Sequence, residues 1–130
     1  GPVDALRYMG GFDLAAICGA MLACVKAHIP FYVDGFITAA ALVCAVQLND
    51  EVRRYALLSH LSREAGMAVA LRTVGMDESQ IPIHGELSLG EGTGAVLAVS
   101  LIQSMMYAIW HMGTLDNVNE AAERRRKGGE

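Results

Sequence analysis

A segment of seven residues, 89–95, places one carboxylate among three glycines directly before a long apolar stretch. Gly90, Gly92 and Gly94 lack a Cβ, so the backbone there can approach another group closely and adopt dihedral angles that other residues disfavour. Glu91 adds a proton acceptor at the same place. The segment predicts a ligand-binding loop. The alternative is a tight helix start with Glu91 in solvent and Thr93 as N-cap.

Two further turns carry polar residues of the same kind. Asp34-Gly35 and Ser59-His60 each follow a predicted strand and precede a predicted helix, as the Glu91 segment does. In an open parallel sheet such turns share the carboxyl edge, where ligands bind, and the helix N-termini there attract anions. The three turns therefore predict a site that combines a carboxylate with an anion pocket. The alternative for Asp34 is a turn residue that caps the next helix.

The elements that would position these turns alternate along the chain. Apolar patterning predicts helices over residues 2–9, 12–27, 37–48, 67–74 and 93–113, and strands over 29–33, 55–59 and 83–87. This order predicts a three-layer α/β/α fold with a parallel, Rossmann-like sheet. Residues 1–115 would form one domain, and residues 116–130 a polar, basic tail.

Composition narrows the class of protein. Of 130 residues, 53% are apolar, which suggests that a partner or further chain covers part of the surface. The net charge of −4 argues against a nucleic-acid partner. The three cysteines lack the spacing of a disulfide framework, which favours a cytoplasmic location and a core role for them.

Two apolar stretches raise the question of a membrane. Residues 36–49 are too short to span a bilayer, whereas residues 92–110 are long enough. The longer stretch contains Thr93, Ser100, Gln103 and Ser104. We therefore expect it, like residues 12–27, to be a buried helix of a soluble protein that does not enter a membrane.

Four segments taken together carry a resemblance to a known family. They are GGFDLAA at 10–16, VDGFI at 33–37, SHLSREAG at 59–66 and LGEGTGA at 89–95. In this order and spacing they resemble the C-terminal part of the nicotinate-nucleotide–dimethylbenzimidazole phosphoribosyltransferases. The chain departs from that family's usual pattern at Asp13, where glutamate is common, and at Ser88, where arginine is frequent.

The resemblance implies a reaction and roles for individual residues. Phosphoribose would pass from nicotinate mononucleotide to dimethylbenzimidazole, giving α-ribazole phosphate and nicotinate, with no metal and no organic cofactor. Glu91 would be the general base, and Leu89, between Ser88 and Gly90, would line the slot for the aromatic base. Ser59 and the loop amides near Gly66 would meet the phosphate. Asp34 would lie at the floor of the site, and Gly90 and Gly92 would contact substrate.

The resemblance also bears on partners. Members of the family are longer than this chain, so the expected partners are small-molecule substrates together with a second copy or a missing N-terminal half. Two other functions stay open at the level of the sequence. One is a non-catalytic module that binds a nucleotide or benzimidazole, or docks on a partner. The other is a structural fragment whose apolar helices pair.

Overall fold

The computed structural model describes residues 1–61, 64–84 and 92–127 of the chain. In this part of the chain two short strands alternate with six α-helices and three short helical turns of other types. The helices are α1 (Pro2–Ala5), α2 (Gly11–Lys26), α3 (Phe36–Leu48), α4 (Ala65–Thr73), α5 (Thr93–His111) and α6 (Leu115–Lys127), and the strands are β1 (Phe31–Val33) and β2 (Ala56–Leu58). A π-helical turn covers Leu6–Gly10, and 3₁₀ turns cover Asp50–Arg54 and Glu78–Gln80.

The sheet is parallel, as the alternation of elements predicts. Tyr32 of β1 lies opposite Leu57 of β2, and one further parallel bridge joins His60 to Ile83. β1 begins only after Pro30, because proline has no amide hydrogen to donate to the ladder. The predicted third strand is described only at its first two residues, and 85–87 lie outside the described residues. The observed class is an incomplete α/β fold.

Helix α3 forms the centre of the core. Ala39, Leu42 and Ala45 have no solvent exposure, and the helix contacts α2 on one side and α4 on another. The alanines let neighbouring backbones approach closely, and burial of a side chain such as Leu42 contributes about 1.5–3 kcal/mol. The prediction of a buried helix over 37–48 is confirmed.

Helix α2 is less buried than its composition suggests. Only Cys18 and Met21 are buried in it, whereas Phe12 is 95% exposed. The prediction of a helix buried all round is therefore wrong for this chain. The physical reason is that α2 packs against α3 along one side. An apolar composition shows that the other faces favour burial, but it does not show that this chain contains residues that pack against them.

Helix α5 departs from prediction in the same way. The chain divides into two compact units, Gly1–Val99 and Ser100–Glu130, and the 19 residues of α5 belong to both. Gly94 and Ala98 are buried in the first unit, but Tyr107 and Trp110 in the second are largely exposed. The prediction of a buried helix is wrong here too. By length and composition, α5 is the one helix among the described residues that could cross a membrane.

The tail predicted from residue 116 onward is helical throughout its described part. The amide of Thr114 donates to Asn117 Oδ1 at 2.8 Å, and the amide of Asn117 donates back to Thr114 Oγ1 at 3.3 Å. This reciprocal pair satisfies two amides at the start of α6 that would otherwise lack partners. The division into a domain of residues 1–115 and a tail stays a prediction.

Candidate active site

The turns that follow β1 and β2 lie side by side at the carboxyl edge of the sheet. The amide of Ser59 donates to the carbonyl of Val33 at 3.2 Å, and Ser59 Oγ donates to the same carbonyl at 3.0 Å. These bonds place Ser59 next to Asp34, the residue after Val33. The sequence prediction that these two turns share one edge is confirmed.

The third turn reaches this edge through the side chain of Asp34. Asp34 Oδ2 accepts the amide of Gly92 at 3.1 Å, and Oδ1 accepts the amide of Ala95 at 2.9 Å. The carboxylate thus satisfies two amides at the start of α5, where the helix dipole also favours a negative charge. α5 itself begins at Thr93. Thr93 is therefore the first helical residue and not the N-cap residue that precedes the helix.

The helix that directly follows Asp34 has a different cap. Thr38 Oγ1 accepts the amides of Asp34 and Gly35 at 3.1 and 3.0 Å, and it donates to the carbonyl of Gly35 at 2.8 Å. Thr38 therefore closes the start of α3. The alternative in which Asp34 caps the next helix is wrong, because the Asp34 carboxylate caps α5, through an amide 58 residues further along the chain.

His60 fills the space between the turns. It is 1% exposed, and its Nδ1 lies 3.0 Å from Ser59 Oγ and 3.9 Å from Asp34 Oδ1. Ser59 Oγ also lies 3.4 Å from the carbonyl oxygen of Asp34. His60 is accordingly a buried group that joins two turns.

The structure requires glycine at two of the three glycine positions around Glu91, for a different reason at each. Gly92 has φ +82°, in the left-handed region that favours glycine. A Cβ at Gly94 would lie 1.9 Å from His60 Nδ1, so any side chain there would overlap the imidazole ring. The sequence predicts that the glycines let the backbone approach a ligand. At Gly94 the backbone instead approaches a side chain of the protein itself, that of His60.

Gly66 illustrates the same constraint at the start of α4. A Cβ at Gly66 would lie 2.5 Å from Cε2 of the Phe36 ring. The absence of a side chain thus lets the first turn of α4 lie against the first residue of α3. The predicted contact between the amides near Gly66 and a phosphate stays a prediction.

The remaining predicted site residues fall into two groups. Glu91, Leu89 and Gly90 lie outside the described residues, so their roles stay predictions. Ser59 has no solvent exposure and uses its hydroxyl within the protein, and its predicted phosphate contact also stays a prediction. Among the residues that the structure describes, no group of three histidine, cysteine or acidic side chains is placed to hold a metal ion.

Sequence reasoning missed two features of the site. Thr38 was not singled out, although a side-chain acceptor three residues after the N-cap position can take the N-cap amide, as Thr38 does for Gly35. The bond from Asp34 to α5 had no local signal, because its partners are 58 and 61 residues away. Only the packing of β1 against the following elements brings them together.

The carboxyl edge of the parallel sheet thus gathers a carboxylate, a serine and the glycine-flanked start of α5. The sequence model described as "Phosphoribosyltransferase" matches residues 1–119, and the chain belongs to that family.

Named relatives make the assignment more particular. A nicotinate-nucleotide–dimethylbenzimidazole phosphoribosyltransferase of Clostridium tetani is 36% identical over 113 residues, which cover 87% of this chain and 30% of that protein. The protein of the same name from Xanthomonas euvesicatoria is 45% identical over 103 residues, covering 79% and 29%. The crystal structure of the Thermus thermophilus enzyme superposes with a TM-score of 0.79 at 34% identity, covering 92% of this chain and 35% of that one.

The chain thus spans about a third of the length of the relatives that it matches. The resemblance drawn from the four sequence segments is confirmed by the family match and by the fold.

Proposed function

We propose that this chain supplies the C-terminal catalytic part of an enzyme that transfers phosphoribose from nicotinate mononucleotide to dimethylbenzimidazole. The observation that carries the proposal is the hydrogen bond from the amide of Gly92 to the carboxylate of Asp34. It brings the residue that follows Glu91 to the carboxyl edge of the sheet, beside the turns that hold Asp34 and Ser59. The names of the relatives supply the two substrates.

The chemistry requires one proton acceptor. One ring nitrogen of the benzimidazole attacks the anomeric carbon of the ribose, and nicotinate leaves with the electron pair of the broken C–N bond. The other ring nitrogen then has an acidic hydrogen, which Glu91 accepts. A positioned general base of this kind contributes about 10²–10⁴-fold to the rate. The products are α-ribazole phosphate and nicotinate.

The anion pocket belongs beside α4 and not at the start of α5. Asp34 already places a negative charge on the first turn of α5, and that charge repels a phosphate. The first turn of α4, which contains Gly66, offers backbone amides at a helix N-terminus that carries no acidic side-chain cap. We therefore assign the mononucleotide phosphate to the amides near Gly66, with Ser59 holding the adjoining turn.

The test is the isosteric change of Glu91 to Gln, which keeps the shape of the side chain and removes its basicity. The chain is assayed alone, and also in place of the matching third of the Thermus thermophilus relative. Where product forms, we expect Glu91→Gln to lower its rate of formation by about 10²–10⁴-fold without changing the melting temperature. Glu78→Gln, at an exposed acid on a different turn, is the matched control and should retain full activity.

Other results would favour other functions. Full activity of Glu91→Gln would exclude Glu91 as the base. Calorimetric binding of benzimidazole or nicotinate mononucleotide without turnover in either form of the protein would favour a non-catalytic binding module. A defined oligomer that responds to neither ligand would favour a structural fragment.

We also propose that the protein acts in the cytoplasm as a soluble component. All three cysteines are free thiols, in agreement with a reducing compartment. The exposed apolar side chains of α2 and α5 would be covered by the rest of the enzyme or by a second copy, giving a homodimer. Sedimentation of the chain without detergent tests this, since a helix that belongs in lipid would require detergent for solubility.

A further inference from the structure

We propose that Asp34 is a positioning residue, which fixes the backbone beside Glu91 and does not touch substrate. The proposal rests on the proposed function, in which Glu91 is the base. It assigns Asp34 a different role from the substrate contact that the family resemblance implies. The reason lies in what its two carboxylate oxygens already bind.

The first argument is the identity of the bonded amides. The amide of Gly92, which donates to Asp34 Oδ2 at 3.1 Å, belongs to the peptide group that joins Gly92 to Glu91. The amide of Ala95, which donates to Oδ1 at 2.9 Å, lies in the first turn of α5. Two bonds to one rigid carboxylate fix both the position and the direction of this segment. Bonds to an ionised acceptor are also stronger than neutral ones.

The second argument is that Thr38 and His60 restrain Asp34 itself. Thr38 Oγ1 accepts the Asp34 amide at 3.1 Å, which anchors the backbone to α3. On the other side, the buried His60 ring has its Nδ1 3.9 Å from Asp34 Oδ1. A side chain restrained in this way is suited to transmit the geometry of the core to α5.

The third argument concerns substrate. The side chain of Asp34 is 18% exposed, and each of its oxygens is engaged by an amide. Its negative charge also disfavours the phosphate of the mononucleotide. Asp34 is therefore placed to shape the site and not to hold an anion in it.

The first experiment measures amide hydrogen exchange by NMR in the folded chain. Asp34→Asn offers one acceptor oxygen, while its NH₂ group opposes a second donor, so at least one of the two amides loses its partner. We expect the amide exchange rate at Gly92 or Ala95 to rise by at least about tenfold, which corresponds to the loss of one hydrogen bond. Exchange rates in α3 should not change. Asp77→Asn is the matched control, because Asp77 likewise accepts a backbone amide, from Ser79 at 2.8 Å.

The second experiment is a double-mutant cycle in the hybrid enzyme. Asp34→Asn should lower kcat by about 10–10²-fold, since a misplacement of about 1 Å has an effect of this size, and should leave KM for both substrates unchanged. In the Glu91→Gln background, Asp34→Asn should cause no further fall. A residue that contacts substrate would raise KM, and its effect would multiply with that of Glu91→Gln.

A second variant covers the case in which Asp34→Asn does not fold. Thr38→Val removes the hydroxyl that holds the Asp34 backbone, and Thr38→Ser keeps it. We expect Thr38→Val to increase exchange at Gly92 and to lower kcat, and Thr38→Ser to do neither.

The outcomes separate this inference from the proposed function. Unchanged exchange at Gly92 and Ala95 in Asp34→Asn, or independent effects of Asp34 and Glu91 on kcat, would overturn the positioning role. Full activity of Glu91→Gln would instead overturn the proposed base. In that case amide exchange still decides whether Asp34 restrains the start of α5.

Discussion

Replacement of Gly94 by alanine tests how closely α5 approaches the sheet edge. The new Cβ would lie 1.9 Å from His60 Nδ1, 2.4 Å from Cε1 and 2.8 Å from Cγ. Ordinary contact begins at 3.4 Å. The methyl group and the ring must therefore separate by roughly 1.5 Å, a shift of the kind that overpacking of a well-filled core demands.

The surroundings decide how much this costs. His60 is 1% exposed and is bonded to Ser59, so its ring has little room to turn. Overpacking of this kind costs about 1–3 kcal/mol. The higher helix propensity of alanine returns at most about 1 kcal/mol. Because the ring has little room to turn, the cost lies at the upper end of this range, and we expect Gly94→Ala to lower the free energy of unfolding by about 2 kcal/mol, the difference between these terms.

The assay is urea unfolding followed by circular dichroism, with Gly19→Ala as the control. Gly19 lies inside α2, and a Cβ there meets nothing within 4 Å. That change should raise the free energy of unfolding by about 0.5–1 kcal/mol, because the close approach is absent and only the helix propensity changes. In the hybrid enzyme, Gly94→Ala should also lower kcat by about 10–10²-fold.

One result would refute the reasoning about Gly94. If Gly94→Ala stabilises the chain as much as Gly19→Ala does, the contact with His60 does not constrain α5. A second check uses the His60→Ala background, in which the cost of Gly94→Ala should disappear because the ring is gone. A cost that persists there would show that some other group limits the approach.

Two further predictions concern other parts of the first unit. Gly66→Ala places a methyl group against the Phe36 ring, but Phe36 is 41% exposed and can turn outward. We therefore expect this change to lower the free energy of unfolding by less than about 1 kcal/mol in the same urea assay. A decrease as large as that of Gly94→Ala would contradict this. Burial, and then the nearby Cys44, raise the pKa of the Cys18 thiol above its ordinary value of 9.0. The stabilising contribution of the protonated thiol is therefore complete below that pH and is lost as pH rises through the folded pKa. The stability difference between wild type and Cys18→Ala should narrow as pH rises above 9.0, and a constant difference would contradict this.

Much of the secondary structure follows from local patterns. The parallel strands and the buried helix α3 are marked by short apolar runs, by Pro30 and by turns such as Asp34-Gly35. The burial of α2 and α5 is not predictable in the same way. Their apolar residues specify a preference for cover, but Phe12 and Trp110 show that this chain leaves them exposed.

The candidate site divides along a similar line. The sequence indicates which turns share the carboxyl edge, because strand direction alone decides that. It could not indicate that Asp34 binds α5, or that Gly94 makes room for His60, because both contacts join residues far apart in the chain. Such contacts depend on how the elements pack.

The amino-acid sequence by itself determined the family, the parallel α/β class and the residues worth testing, since motif spacing and hydrophobic periodicity are local properties. Only the tertiary structure decided what each residue near the edge does. Hydrogen-bond partners and steric limits at Asp34, His60 and Gly94 arise when distant segments meet within a few ångströms. That is a property of the packed chain and of no single segment.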